Sequence, residues 1–578
     1  MQFSRSALMV LALSGALVSS SALAQVTIDI PLAVGFPAPG LPGATVQTLR
    51  TPTTNDFSVK AMVGTVSGAG ITASNNTALW RVGTVAELVV RTGQTIAGLP
   101  SGVTLGSIET PSVNNLGTTI FTGTLTGPGV SAVNNRAMFT GRPRNVRLVA
   151  RTGDQAPGLA ANQVYASFDA PRLSDNDKVV FSGSISGPGI NLGTSAVVSY
   201  GDASMLQIVA RTGFPAPGTT GATFAILGDP VVSPTGKVLF SAVLNQFIGG
   251  VTSNDDVGVW SGTPGSMVLA RRGGEQTPIL TYAGVLDSFS SVSTNEDDSI
   301  AYSSALNPRL PNTAVNSLLV VERLGQVNAI AQTGLVLAPG VLMGTIGAPR
   351  MSGLDNTAFL ATVWGSAVTP SSDTAVFMKI GAELTMLARK GSLIAAIGNG
   401  VRFGDFLGVI VNRTGRVVFS CRLTGTGVDS SNDRAIFSWD KYMGLELVAR
   451  TGATALLNAS DTRTVQTLSV VLDAGNQDGK PSSLGDDGIL VFQTQFTDGS
   501  TAVVARSITR ALADIVGGGG NPPADGQVDG NDFTAFLNAF ASDNPMADIV
   551  SGDGNEPPDG NIDGNDFQAF LNAFAAGN

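Results

Sequence analysis

The 578-residue sequence predicts an all-β molecule, an eight-bladed β-propeller, followed by a small α-helical module. Three observations carry this reading. The composition, with 71 Gly and 13% charged residues, favours short strands joined by tight turns. A motif returns about every sixty residues. Only the last 65 or so residues break the pattern, with a 34-residue duplication that joins acids, glycine and helical periodicity.

The chain opens with one cation, Arg5, an apolar run from Ala7 to Val18 and small residues at Ala22-Leu23-Ala24. This is the pattern of a secretory signal peptide over residues 1–24, and it places the expected mature protein outside the cytoplasm, extracellular or at a cell surface. No later run is long and apolar enough for a transmembrane helix.

The propeller is expected over residues 25–506. Its repeat is read from Arg91-Thr-Gly, Arg151-Thr-Gly, Arg211-Thr-Gly, Arg271-Arg-Gly, Gln332-Thr-Gly, Arg389-Lys-Gly and Arg450-Thr-Gly, spaced 60, 60, 60, 61, 57 and 61 residues apart. Each unit adds a turn and a β-branched run, such as Val179-Val-Phe181, and then a loop and a third run, such as Asn135-Arg-Ala-Met-Phe139. Four short strands per sixty residues is the content of a propeller blade. The alternatives are an open β solenoid or a string of sandwiches. Residues 26–40 match residues 208–218, so the chain begins with the fourth strand of a unit, and the last unit stops after three strand types. Pairing strand 26–33 with that last unit closes a ring and removes both exposed edges.

The loops between second and third strands, including Ser67–Gly70, Thr126–Gly129, Asn245–Gly250 and Asn307–Pro311, vary most in this reading. Any ligand of the ring is therefore expected on the rim they share with the loops after the fourth strands. The repeated arginines have two readings: a cationic ring for an anionic polymer, or ties from each turn to a carbonyl or acid of the adjacent blade. Glu87, Glu383 and Glu446 occupy similar fourth-strand positions and read as surface pattern. Cys421 reads as a buried strand hydrophobe.

The chain has no histidine, which excludes Ser-His-Asp and Cys-His catalysis and His-ligated metals. The formal charge of −10, with no basic runs, argues against nucleic acid as partner. No catalytic residue is assigned.

Residues 507–578 form the second unit. Its halves are Asp514 … Asp525-Gly-Gln527-Val-Asp529-Gly530-Asn531-Asp532 and Asp548 … Asp559-Gly-Asn561-Ile-Asp563-Gly564-Asn565-Asp566. Calcium loops take oxygen ligands at positions 5, 7, 9 and 12, with glycine at 6 for the turn. Asp525, the carbonyl of Gln527, Asp529 and Asp532 meet that spacing, as do Asp559, Asn561, Asp563 and Asp566. Asp514 and Asp548 are the candidate first ligands, or Asn521 stands first in its loop. Calcium is the cofactor expected, because hard oxygens suit a hard ion. A helix follows each loop, with apolar stripes Phe533, Phe536, Leu537, Phe540 and Phe567, Phe570, Leu571, Phe574.

Two such loop-helix halves resemble a type I dockerin. The resemblance implies a cohesin-like protein domain as partner, with Gly530, Asn531, Gly564 and Asn565 at the loop positions that help choose it. The insertion of Gly517–Ala524 after Asp514 departs from the dockerin loop. The sixty-residue repeat resembles uncharacterised repeat domains of exported proteins ending in anchoring modules. The function expected is a non-enzymatic, exported propeller attached to a surface or assembly by this tail. The alternative is a dockerin-borne polysaccharide-active enzyme.

Overall fold

The computed structural model describes residues 12–14 and 32–576 apart from 277–283, 308–315, 396, 399, 442–443, 459–460, 473–476, 509–512, 514, 517–527, 543, 545–546 and 551–560. Eight antiparallel sheets follow one another along the chain. Blades 1 to 8 occupy residues 44–91, 104–151, 164–211, 224–272, 285–332, 341–389, 401–450 and 461–507. In blade 1 the inner to outer strands are Ala44–Leu49, Lys60–Gly68, Thr77–Val82 and Ala86–Arg91, each paired with the next.

Each blade is covered on both faces, which explains the continuous apolar runs. Val179 and Phe181 belong to the core between blades 2 and 3, whereas Val180 belongs to the core between blades 3 and 4. Period-2 alternation is present, but both faces find apolar neighbours. Stacked cross-strand rings thicken several blades, with centroids 5.3 Å apart for Phe121–Phe139 and for Phe359–Phe377, and 5.5 Å for Phe419–Phe437. Cys421 is fully buried in the core between blades 6 and 7, and burial pushes its thiol far up.

The recurring Arg-Thr-Gly triplet makes three separate contacts. In blade 2, Arg151 Nε donates to the carbonyl of Asn134 at 2.9 Å, Thr152 Oγ1 accepts from Arg136 N at 3.2 Å, and Gly153 N donates to Tyr165 O of the following blade at 2.8 Å. Gly153 has φ +82°, and a Cβ there would sit 2.8 Å from that of Asn134, so both conformation and space require glycine.

The ring closes between blades 8 and 1, where Val503 packs in one cluster with Leu32, Val46 and Trp80. Gly35 N donates to Val46 O at 2.8 Å, as Gly213 N does to Phe224 O at 2.7 Å, so the connection into blade 1 repeats the others. Of the expected closing strand 26–33, only Leu32 and Ala33 are among the described residues. Ala12–Ser14, within the expected leader, pairs with the strand Thr454–Asn458.

Two helices end the chain, α1 (Gly530–Ala541) and α2 (Gly564–Ala576). They pack about a pseudo-twofold axis. Phe536 stacks on its own repeat equivalent, Phe570, at 3.9 Å and 4°, while Phe533–Phe574 at 5.2 Å and Phe540–Phe567 at 5.3 Å are the symmetric pairs. Leu537, placed in the apolar stripe from spacing, is 38% exposed instead. The helix contact is narrow enough that one flank of the stripe stays outside it. Among the described residues no helix is long and apolar enough to cross a membrane.

Candidate functional site

Three loops of the expected binding rim share a frame. Asn75, Asn134 and Asn432 each accept from a loop amide (Thr72 N, Ser131 N and Asp429 N) and donate back to a glycine carbonyl (Gly70, Gly129 and Gly427), with distances of 2.7 to 3.2 Å. Length variation hid this pattern, because the glycines and the asparagine hold register only relative to each other. Blade 4 departs from it, with Phe247 standing 89% exposed at φ +67°.

The repeated arginines hold these loops. Arg151, Arg211, Arg389 and Arg450 each donate Nε to a loop carbonyl, of Asn134, Thr194, Ser372 and Asn432, at 2.9 to 3.0 Å. The tie is therefore architectural and lies within one blade, where an adjacent blade was expected. Seventeen or eighteen residues of hairpin bring the fourth strand back to its own loop. In blade 4 Arg272 takes this role, through Asp255 O at 2.9 Å, and Arg271 crosses to Glu322 of blade 5 at 2.7 Å. Glu87 pairs with Arg81 at 2.8 Å, and Glu446 with Arg506. Trp80 and Trp260 are fully buried and donate Nε1 to Pro39 O and Pro217 O at 3.0 and 2.9 Å.

Polar groups converge on the opposite face, around the axis. Seven units carry Asn or Ser at the turn after the inner strand, Asn55, Asn114, Ser174, Ser233, Asn295, Ser352 and Asn412, and blade 8 has Gly485 there. Asn114 Oδ1 accepts from Thr118 N of its own turn at 2.9 Å, while Nδ2 donates to Ser174 O of the next blade at 2.8 Å. The same outward donation runs from Asn55 to Asn114 O at 2.8 Å, Asn176 to Thr235 O at 2.6 Å and Asn295 to Ser352 O at 3.2 Å. It continues from Asn356 to Arg413 O at 2.8 Å and Asn412 to Gly485 O at 3.1 Å. Ser233 to Asp298 at 2.6 Å supplies the step between blades 4 and 5. Asp486 N to Asp56 Oδ1 at 3.3 Å and the Ser58–Asp487 bond complete the circle. The signal for this relay was present in the sequence as a column of Asn and Ser preceding seven of the apolar runs.

Beside the relay lies a polar recess lined by Asp56, Asn115, Asp175, Gln477 and Lys480. Asp56 and Asp175 both accept from Asn115 Nδ2, at 2.6 and 2.9 Å. Burial pushes the Asp175 carboxyl up, with the Asn115 donors working against it and the charge of Asp177 adding to it. Two carboxylates with different surroundings are what acid and base chemistry uses. Here the amide of Asn115 occupies the space between them, where a reacting bond would have to sit.

The tail places the expected calcium residues as follows. Asp514, Asp525, Gln527 and Asp559 lie outside the described residues. Asp529 caps α1 by accepting from Asn531 N at 2.7 Å, and Asp563 likewise accepts from Asn565 N at 2.7 Å. Asp532 is 1% exposed and accepts three backbone N–H groups, from Ile515 and Val516 on Oδ1 at 2.8 and 2.9 Å and from Asp529 on Oδ2 at 2.9 Å. Asp566 repeats this with Ile549, Val550 and Asp563 at 2.7, 2.9 and 2.9 Å. Both oxygens of each carboxylate thus face amide donors. Asp548 is buried and Asn561 exposed. Among the described residues no three acidic, Cys or His side chains converge as a metal group would need. Gly530, Gly564 and Asn565 are exposed and Asn531 half-buried, at matching places on the two halves.

A family model described as a family of unknown function (DUF7453) matches residues 25–249 and again 247–509, the two copies meeting within blade 4. No curated protein matches. Among solved structures, the β-propeller domain of the Trilobed protease from Pyrococcus furiosus is 9% identical, with 70% of this chain and 98% of that one covered at a TM-score of 0.36. Pyrococcus horikoshii acylaminoacyl peptidase is 8% identical, covering 69% and 52% at 0.35. The polysaccharide lyase Uly1 is 9% identical, covering 67% and 88% at 0.34.

Proposed function

Because the chain belongs to the DUF7453 family of unknown function, we propose its role from its own residues: an exported, non-enzymatic propeller held to a surface or multi-protein assembly by its dockerin-like tail. The observation that carries this reading is the contrast between the two parts. In the ring, the polar residues that recur or converge are engaged in building the ring itself, through the arginine ties and the axial asparagines. In the tail, a duplicated unit folds about its own twofold axis and presents Gly530-Asn531 and Gly564-Asn565 at equivalent sites.

In this proposal calcium belongs to the acid-rich loops before the helices, with Asp514, Asp525, Gln527, Asp548, Asp559 and Asn561 as donors. Asp532 and Asp566 then serve as staples that fasten each loop's start to its helix, because their oxygens already hold three amides each. A hard cation would supply charge neutralisation to the loops.

The test is capture of the full chain by recombinant cohesin domains, with calcium and with chelator. Retention that depends on calcium and is lost when Gly530-Asn531 and Gly564-Asn565 are both replaced supports the reading. A chain that no cohesin domain retains, or that is retained equally after both replacements, overturns it. Depolymerisation of any member of a polysaccharide panel by the purified chain would favour the enzyme reading instead.

A further inference from the structure

We infer that Gln477–Lys480 is an internal clasp that locks the ring shut and seals its axis, so that the centre of the propeller holds a segment of its own chain. The connection from inner to second strand runs over residues 50–59 in blade 1 but over 470–488 in blade 8. Of this length, residues 477–482 enter the axis. Inner strands there present N–H groups with no further strand to pair with, and the inserted segment supplies carbonyls to them. Gly479 O accepts from Leu173 N of blade 3 at 2.9 Å, Asp478 O from Val232 N of blade 4 at 3.2 Å, and Ser482 O from Thr54 N of blade 1 at 2.7 Å. Gln477 Oε1 accepts from Glu296 N of blade 5 at 3.1 Å. One segment of the last blade thereby bonds the far side of the ring.

Charge and space agree with this role. Asp478 is completely buried and forms an ion pair with Lys480 at 3.0 Å, with Arg172 and Arg350 acting on the same carboxylate. A buried carboxylate persists only with such partners. A Cβ on Gly479, whose φ is +76°, would lie 2.6 Å from Val232 Cγ1 and 3.0 Å from Arg172 Cβ, so only glycine passes between blades 3 and 4. Contacts between neighbouring blades alone allow a ring to open at its seam, one interface at a time. A segment that crosses the axis couples the seam between blades 8 and 1 to blades on the opposite side.

Hydrogen exchange on the full chain tests this. The amides of Leu173 and Val232 are expected to be protected like strand interiors, and rapid exchange at both overturns the clasp. Lys480→Met leaves the buried Asp478 charge without its ion-pair partner, with only the more distant Arg172 and Arg350 acting on it. It is expected to lower the melting temperature by a few degrees and to speed exchange in residues 54–58 and 482–488 more than in blades 6 and 7, with Asp478→Asn added to it recovering part of the loss. Unchanged melting and seam exchange in both Lys480→Met and Gly479→Val would refute the inference. Where either variant fails to fold, the wild-type exchange pattern decides.

Discussion

Asn114 shows how much one side chain does in this ring. It is 5% exposed, fixes its own turn through Oδ1 and reaches the next blade and Asp177 through Nδ2. Replacing it with alanine leaves the Thr118 amide without its acceptor and the Ser174 carbonyl with only Asp177 N, at a cost of about 2 kcal/mol. Asn114→Asp should cost more, because a carboxylate has no donor for the Ser174 carbonyl. Denaturant titration of both variants checks the order, and an aspartate as stable as the wild type would count against the relay. Glycines of the connecting turns divide in the same manner. Gly153→Ala meets both a positive φ and the Asn134 side chain, whereas Gly35, at φ +85°, has nothing within 4 Å of an added Cβ. Gly35→Ala should therefore cost only the conformational term, about 1–2 kcal/mol, and Gly153→Ala clearly more, as melting curves of the two would show. The Arg-Thr-Gly column was legible in the sequence, yet its partners were not. A spacing of sixty residues says that a residue recurs, and only hairpin geometry says that its carbonyl lies seventeen or eighteen residues back in the same blade.

At the scale of elements, the strands were legible because each apolar run is bounded by turns, and the helices because two phenylalanine stripes repeat in register. The tail is where element and residue meet. Phe536→Ala removes half of the central stack between α1 and α2 and should destabilise the module by about 3 kcal/mol, seen as early loss of helical circular dichroism on heating. Asp532→Asn keeps the shape of the side chain but exchanges one acceptor for a donor facing backbone amides. If the carboxylate is a staple, the variant should lose helical signal even in the presence of chelator. A variant that differs from wild type only when calcium is added would return Asp532 to the ion. The sequence alone favoured the ligand reading because acids at loop spacing look the same whether they face a cation or an N–H. The path of residues 515–516, which tertiary packing brings onto Oδ1, is what the spacing did not show.

For the whole molecule, pH reports how the axial carboxyls are held. Burial pushes Asp175, Glu296 and Asp487 up. Their folded form binds protons more tightly than the unfolded chain, so they add stability as pH falls through their folded values toward ordinary carboxylate values near 4. Asp202 and Asp478 are the opposite case. Burial opposes their charge, but Lys178 and Ser204 in one, and Lys480, Arg350 and Arg172 in the other, outweigh it and hold the carboxyls low. Their contribution is present above the ordinary value and is lost as pH falls through the depressed one. The melting temperature should accordingly stay level or rise from pH 7 to about 4.5 and fall below about 4. A steady decline between pH 7 and 5 would mean that other groups dominate.

By itself the sequence determined the number of blades, the four-strand content of the units before the last and the twofold character of the tail. These follow from local periodicity and from repetition, which need no knowledge of what faces what. Tertiary structure alone decided that polar convergence lies on the axial face, that the loop frame belongs to the opposite rim, and that the last blade crosses the centre. Those arrangements join residues hundreds of positions apart, such as Asp56 with Asp486 or Leu173 with Gly479. A hydrogen bond across a ring leaves no period along the chain that formed it.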